Sequence, residues 1–306
     1  MATPRCQLVD DAIPMFYHLV SRCVRRSWLC GWDSLTRRNY NHRKHWLIKR
    51  LRQLGSAFAV DVHAYAVMSN HFHLVVYYDP SAAQHWSDEE VVERWLIACP
   101  PGSRSDQADP EAVAALRRAW LADAQRLQQM RRHLGSLSAF MKQLKQPVAR
   151  RANREDGCTG HFFEQRFYSG ALLSEEAVLA AMAYVDLNPI RAQLARSVRQ
   201  IRQASITERL KELENSPERL HALLRPVIAG LRSASTPVVN ITLAGYLERL
   251  EQVAFPPRPA HLTDTARRWV QRVATLKHRQ RAFGSLDLIQ QWIQQRGWQL
   301  REQPLP

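Results

Sequence analysis

Two strand-like segments joined by a short turn constrain the fold of this chain more than any other feature. Residues 58–68 and 71–78 are rich in β-branched and aromatic side chains, and the Ser-Asn pair between them is typical of a tight turn. A further strand is predicted at residues 15–22 and a basic helix at residues 40–54. A strand, a helix and a hairpin in this order predict an α+β fold, an antiparallel sheet with helices on one face.

The second strand of this hairpin carries two histidines, His71 and His73. Side chains alternate between the two faces of a strand, so both imidazoles are expected on one face, while Phe72 and Leu74 point into a core. Two imidazoles on one face can share a metal ion. The alternative, that the pair is structural, stays open at this point.

A tyrosine and an asparagine follow 111 and 115 residues after His73, near the end of a predicted helix. Ser174 is the expected N-cap of this helix, and Pro189 predicts that it ends at Asn188. The spacing of four places Tyr184 and Asn188 on one helix face, about 6 Å apart along the axis. Alanines 177, 180, 181 and 183 leave room either for a substrate phosphate or for close packing, with Tyr184 then a core aromatic.

These residue types fit a metal-assisted tyrosine nucleophile. A phenol with a pKa near 10 is mostly protonated at neutral pH, so a phosphodiester must be made electrophilic before tyrosine can attack it. Imidazoles from His71 and His73 and an amide oxygen from Asn188 would leave open positions on a divalent ion. Such an open site favours Mg²⁺ or Mn²⁺ over a closed zinc site.

The charge balance indicates a polyanionic partner. Lysine and arginine number 43 against 28 acidic residues, which gives a net charge of +15, and the pI is near 10.2. Five scattered cysteines without paired spacing predict reduced thiols and no zinc site. The N-terminus lacks the apolar stretch of a signal peptide, and the longest apolar run, residues 177–185, is too short to cross a bilayer. We therefore expect a cytoplasmic protein that does not enter a membrane.

Composition divides the chain into a core, an insertion and a C-terminal region. Residues 79–130 carry nine acidic and five basic side chains, and predict a helical insertion turned away from a polyanion. Residues 131–154 carry seven basic and no acidic side chains on a predicted helix that Pro147 should kink or end. We predict one domain over residues 1–204 and an all-helical region over residues 205–306, which binds DNA or dimerises.

Four ordered motifs resemble the single-tyrosine HUH transposases, most closely the REP-associated tyrosine transposases. The motifs are Tyr-His-Leu-Val-Ser-Arg at 17–22, Ala-Val-Met-Ser-Asn-His-Phe-His-Leu-Val at 66–75, Gly-His-Phe-Phe-Glu-Gln-Arg-Phe at 160–167 and Tyr-Val-Asp-Leu-Asn-Pro-Ile-Arg-Ala at 184–192. The resemblance covers about residues 12–200. The acidic insertion and the residues after about 205 depart from the compact form of that family.

The resemblance implies a ferredoxin-like or RRM-like HUH nuclease core. It also implies that His71 and His73 bind the metal, that Tyr184 is the nucleophile and that Asn188 completes the metal site. Single-stranded or hairpin DNA is the expected partner, and a homodimer is possible within the family. The basic residues expected to contact DNA are Arg22, Lys142, Lys145, Arg150, Arg151, Arg166 and Arg191.

The leading hypothesis is a metal-dependent enzyme that nicks and joins single-stranded DNA through a 5′-phosphotyrosine at hairpin or palindromic repeats. A non-catalytic regulator that binds DNA hairpins with the same fold is the alternative. The presence of both histidines and Tyr184 argues against the regulator. A relaxase or replication initiator of the broader HUH class is a third hypothesis, which the order of the motifs disfavours.

Overall fold

The computed structural model describes residues 8–24, 28–34, 36–101, 109–164, 166–231, 238–256 and 262–297. Its strands are β1 (Met15–Arg22), β2 (Trp32–Asp33), β3 (Arg38–Asn39), β4 (Val60–Val67), β5 (His71–Tyr78), β6 (Tyr168–Leu172), β7 (Leu223–Leu224), β8 (Val239–Thr242) and β9 (Ala282–Phe283). Its α-helices are α1 (Asn41–Gly55), α2 (Asp88–Ala98), α3 (Pro110–Leu121), α4 (Ala124–Leu134), α5 (Leu137–Glu155), α6 (Glu175–Asp186), α7 (Asn188–Arg191), α8 (Ile206–Asn215), α9 (Leu243–Ala254), α10 (Asp264–Thr275) and α11 (Leu286–Gln294).

The central sheet has five strands in the order β4-β5-β1-β6-β9. The first four strands pair antiparallel, as the hairpin pattern predicts, whereas β9 joins β6 in parallel. The sheet is therefore mixed and not purely antiparallel. The C-terminal region is likewise not all-helical, since β7, β8 and β9 lie within it. These two- to four-residue strands are too short to leave an alternating pattern in the sequence.

Helices cover both faces of the sheet, contrary to the expected single covered face. Leu19 and Leu74 share one core with side chains of α1 and α5, whereas Val75 and Ala64 share a second core with α6. All eight residues of β4 are buried. A strand that is buried at every position must be covered on both of its faces.

The acidic insertion is part of the first core. Val91, Trp120 and Leu127, from α2, α3 and α4, are buried in the cluster that contains Leu19. Arg94 is buried beneath Trp86, with its guanidinium 3.9 Å from the ring centroid. The insertion therefore packs on the sheet face opposite to the histidines. Whether it faces away from DNA stays a prediction, as does the division at residues 204 and 205.

Pro147 neither ends nor divides α5, contrary to expectation. Proline lacks an N–H group, so the carbonyl of Gln143 loses its partner within the helix. Arg50 of α1 donates a hydrogen bond from Nε to this carbonyl at 3.3 Å. The helix continues to Glu155 because a neighbouring helix supplies the missing donor.

Candidate nuclease site

Three histidines share one face of the central sheet. In the antiparallel register of β1 and β5, Val20 lies opposite His73 and Arg22 lies opposite His71. His18 is two residues before Val20 on the same strand, so its side chain points to the same face. The expected pair of imidazoles is therefore a row of three. The sequence argument missed His18, which belongs to the first of the four motifs.

The three rings are in contact with one another. His18 and His73 stack with their centroids 5.2 Å apart and an interplanar angle of 14°, and their Nε2 and Nδ1 atoms are 3.0 Å apart. The ring of His71 lies 4.9 Å from that of His73. His18 and His73 are buried, whereas His71 is partly exposed at the end of its strand. The row thus runs from the interior of the sheet to the solvent.

Hydrogen bonds to two asparagine side chains favour one tautomer for His71 and one for His73. The Nδ1 atom of His71 lies 2.8 Å from the side-chain oxygen of Asn70, which only accepts, so Nδ1 donates and Nε2 keeps its lone pair. The amide nitrogen of Asn188 donates to Nε2 of His73 at 3.3 Å, so His73 carries its proton on Nδ1 and donates it to His18. Both histidines of the His-x-His motif therefore present Nε2 lone pairs.

Burial keeps these imidazoles neutral. It lowers the pKa of His18 to about 3 and that of His71 to about 4, and it lowers the pKa of His73 well below its ordinary value. The positive charges of Arg22 and Arg279 add to the effect on His71 and His73. A metal ligand must be unprotonated, so this environment suits coordination at neutral pH.

Helix α6 brings Tyr184 to the histidines, and the turn that follows it brings Asn188 there. Ser174 caps the helix by accepting from the amide of Ala177 at 3.2 Å. The ring of Tyr184 lies edge-on to the rings of His18 and His73, at 5.8 Å from each centroid. Asn188 does not end this helix; α6 ends at Asp186, and Asn188 begins the separate turn α7. The break before Pro189 turns the amide towards His73.

The alanines of α6 serve packing and do not form a phosphate pocket. Alanines 177, 180, 181 and 183 are fully buried in the second core, against β4 and β5. Small side chains let the helix approach the sheet closely, which sets the short distance from Tyr184 to the histidine row. Of the two roles considered for these alanines, packing is the correct one.

A buried carboxylate anchors the C-terminal end of α6. Asp186 accepts hydrogen bonds from the hydroxyl of Ser205 at 2.7 Å, the amide of Ile206 at 2.9 Å and the hydroxyl of Tyr246 at 2.7 Å. Burial raises the pKa of this carboxyl, and the bonds from Ser205 and Tyr246 oppose the rise. The residue two positions after Tyr184 is thereby tied to α8 and α9 of the C-terminal region.

Within the described part of the chain there is no group of three or more histidine, cysteine, aspartate or glutamate side chains that could hold a metal ion. A divalent ion at this site would depend on His71, His73 and the Asn188 amide, with its other positions open to water or phosphate. The donor set of two neutral imidazoles and one amide beside a tyrosine ring fits such an open site.

Two of the seven expected DNA contacts lie at this site. Arg22 is exposed and faces His71 across the β1–β5 pair. Arg191 is exposed on α7, and its guanidinium lies 4.7 Å from the centroid of the Tyr184 ring. Both cations are therefore close to any phosphate that Tyr184 could reach.

Three more of the residues expected to contact DNA line a cavity on the other side of the sheet. Lys142, Lys145 and Arg150 of α5 border a space of about 660 Å³. Phe162, Phe163 and Phe167 form part of its wall, and Lys145 donates to the carbonyl of Glu164 at 2.9 Å. Because the rings of Phe162, Phe163 and Phe167 are themselves buried, the cations are what this cavity offers to a phosphate backbone.

The last two expected contacts belong to neither place. Arg151 stacks on Trp46 of α1, with its guanidinium 3.9 Å from the ring centroid. Arg166 is exposed beside Phe167 and has its own interaction within the fold.

Across the described ranges, no helix is long and apolar enough to span a bilayer.

Comparison with known proteins gives one distant likeness. No family model matches the chain, and no curated protein matches its sequence. A likeness at low identity concerns the fold and says nothing about the side chains of a site. The chain is similar in this limited sense to a REP-associated tyrosine transposase solved bound to a REP hairpin, with 10% identity, a TM-score of 0.38, and coverage of 72% of this chain and 90% of that chain.

Proposed function

We propose that this protein is a metal-dependent, single-stranded DNA endonuclease and strand transferase that forms a 5′-phosphotyrosine at Tyr184. The observation that carries the proposal is the convergence of Tyr184 and Asn188 on His73. These residues come from segments more than 100 positions apart in the sequence. A nucleophile, two neutral imidazoles and an amide in contact make up the parts that this reaction needs.

The donor set supports a divalent metal cofactor. His71, His73 and the amide of Asn188 are the residues that would hold Mg²⁺ or Mn²⁺, and the bound ion would supply Lewis acidity that makes the phosphodiester phosphorus more electrophilic. The Asn188 amide would turn its oxygen to the ion in place of the nitrogen that now faces His73. His18 accepts from Nδ1 of His73 and so holds the tautomer that coordination requires.

The chemical step belongs to Tyr184. Its hydroxyl oxygen forms a bond to phosphorus while the bond from phosphorus to the 3′ oxygen breaks. The phenol proton passes to solvent, and the departing 3′ oxygen takes up a proton, which leaves a 5′-phosphotyrosine and a free 3′-OH. Attack of a 3′-OH on the phosphotyrosine reverses the step, so strands are rejoined without another energy source. We propose that Tyr184 acts with the histidines of its own chain, since its ring contacts His18 and His73 of that chain.

Hairpin or other folded single-stranded DNA is the substrate class that we propose. The nucleophile is half-buried in the row of rings, so the scissile backbone must be unpaired to reach it. The cavity beside Lys142, on the other side of the sheet, offers cations for a further part of the same DNA backbone. The net charge of +15 favours any nucleic acid, and the site geometry selects among them.

A suicide substrate tests the proposal. A labelled single-stranded hairpin, whose released fragment is short enough to dissociate, is incubated with the protein and Mn²⁺, and adducts that survive denaturation are resolved on a gel. We expect an adduct with the native protein and none with Tyr184→Phe, which should bind the hairpin within about twofold of normal because only the nucleophilic oxygen is lost. Tyr77→Phe, a half-buried tyrosine of β5 outside the site, is the matched control and should form the adduct.

The same assay examines the metal ligands. His71→Ala and His73→Ala should eliminate the adduct, and Asn188→Ala should reduce it less, since water can replace a neutral ligand. Normal cleavage by all three variants in limiting Mn²⁺ would show that the proposed metal site is wrong. Hairpin binding by the native protein without any adduct would favour the non-catalytic regulator.

A further inference from the structure

The C-terminal region adds a strand beside the histidine row. Strand β9 runs parallel to β6, and the amide of Ala171 donates to the carbonyl of Arg281 at 2.8 Å. In the next strand over, Gly170 of β6 lies opposite His18 of β1. The chain that leads into β9 is therefore separated from the innermost histidine by a single strand, β6.

A glycine allows this close approach. A Cβ atom on Gly170 would lie 2.8 Å from the ring of Phe283 and 3.1 Å from the carbonyl oxygen of Gln280. The hydroxyl of Tyr168 donates to the same Gln280 carbonyl, and the ring of Tyr168 stands edge-on to His18 at 5.9 Å. The backbone at Gln280 is thus fixed against the ring that flanks His18.

Arg279 immediately precedes this fixed point and is exposed. Because Tyr168 binds the next residue and its ring flanks His18, the backbone of Arg279 lies at the edge of the site. In agreement with this position, the positive charge of Arg279 adds to the lowering of the pKa of His18, His71 and His73. Arg22 acts on His71 and His73 from the opposite strand. Two cations therefore flank the imidazoles, one from the core and one from the C-terminal region.

We propose that Arg279 binds the scissile phosphate and stabilises the charge that develops on its non-bridging oxygens during attack by Tyr184. This inference rests on the proposed function. A guanidinium presents a planar fork of N–H donors that matches two phosphate oxygens, and such contacts contribute most when charge increases in the transition state. The C-terminal region would then supply part of the nuclease site, beyond any general affinity for DNA.

Substitution of Arg279 in the full chain tests this role. The probe is the hairpin that the native protein nicks, and the readout is the single-turnover rate of adduct formation. Arg279→Gln should slow the adduct by about 100-fold or more, the usual loss when one donor to a developing oxyanion is removed. Arg279→Lys keeps the charge but not the fork and should fall in between. Lys277→Gln, an exposed cation two residues earlier, is the matched control and should stay within about twofold of the native rate.

A second measurement separates phosphate contact from a structural effect. In the Tyr184→Phe background, hairpin affinity is compared between a normal phosphodiester and a neutral methylphosphonate at the mapped nick. The methylphosphonate should weaken binding when Arg279 is present and have little effect when Arg279→Gln is also present. A folding defect would instead weaken binding of both oligonucleotides.

The outcomes distinguish this inference from the proposed function. If the native protein forms no adduct on any single-stranded hairpin, both are overturned. If it forms the adduct and Arg279→Gln does so at a rate within twofold, only the role of Arg279 is overturned. Equal sensitivity of both backgrounds to the methylphosphonate would also overturn it.

Discussion

The Nε2 atom of His18 lies 3.0 Å from Nδ1 of His73 and accepts its proton in the hydrogen bond. This contact joins β1 to β5 within the site and leaves the other nitrogen of His73 facing Asn188. The Nδ1 atom of His18 is buried without a hydrogen-bond partner among the described residues. A buried polar atom without a partner costs free energy. The fold therefore keeps His18 against His73 although the Nδ1 atom of His18 is left unpaired.

His18→Phe should weaken Mn²⁺ binding by about 10- to 100-fold, because the ring stays but the acceptor that orients His73 is lost. Titration calorimetry of the metal-free protein with Mn²⁺ measures this effect without DNA. His63→Phe is the matched control, since His63 is a buried histidine of the same sheet that touches none of the proposed ligands. Equal Mn²⁺ affinity in the native protein and His18→Phe would show that His18 does not orient the ligand.

Asp186→Ala should lower the free energy of unfolding by about 3 kcal/mol, since all three donors that surround the carboxylate lose their acceptor. Tyr246→Phe removes one of these bonds and should cost about 1 kcal/mol. Urea unfolding of the two variants and the native protein measures both values. Equal losses in the two variants would contradict the three-donor description of this carboxylate.

Pro147→Ala should raise the free energy of unfolding by about 1–3 kcal/mol, because alanine restores a helical donor and removes the steric clash of the ring. Pro147 is exposed, so the change leaves no cavity. Chemical denaturation measures the gain. Pro110→Ala is the comparison, since Pro110 lies in the first turn of α3, where proline costs little, and it should change stability far less.

Acidification should destabilise the protein, and His63 contributes to the loss. Burial lowers its folded pKa to about 3, against an ordinary value of 6.5. Between these values His63 binds a proton in the unfolded chain but not in the folded protein. The free energy of unfolding therefore rises with pH through this window, and the contribution of His63 is fully present above pH 6.5. His63→Phe should reduce the slope by up to about 1.4 kcal/mol per pH unit. Denaturant titrations at pH 4.5, 5.5 and 7.5 measure the slope, and an unchanged slope would contradict the neutral state of His63.

The hairpin and the shared face of His71 and His73 could be predicted, because each depends on a periodicity within one element. The capping of α6 by Ser174 could be predicted from a local sequence signal. Tyr184 and Asn188 were expected on one helix, whereas the structure places them in α6 and α7. His18 was missed because its partner His73 is 55 residues away and no local pattern links them. Its place in the first of the four motifs was the available signal.

The covering of both sheet faces could not be predicted from the first strands alone. The strand, helix and hairpin pattern predicts a sheet with helices on one face, whereas β4 is buried at every position. The parallel pairing of β9 depends on a two-residue strand that follows β6 by more than 100 residues. Such pairing is decided by tertiary packing and leaves no periodicity in the sequence.

The parallel pairing of β6 and β9 also has a consequence for the order of events during synthesis. Residues 279–283 leave the ribosome long after Tyr184 and the histidines, and domains fold from the N-terminus as the chain emerges. The outer edge of β6 stays unpaired until this late segment arrives. A nascent chain therefore holds Tyr184 and the histidines before it gains Arg279, and under the proposed function full activity towards DNA would await the last strand of the sheet.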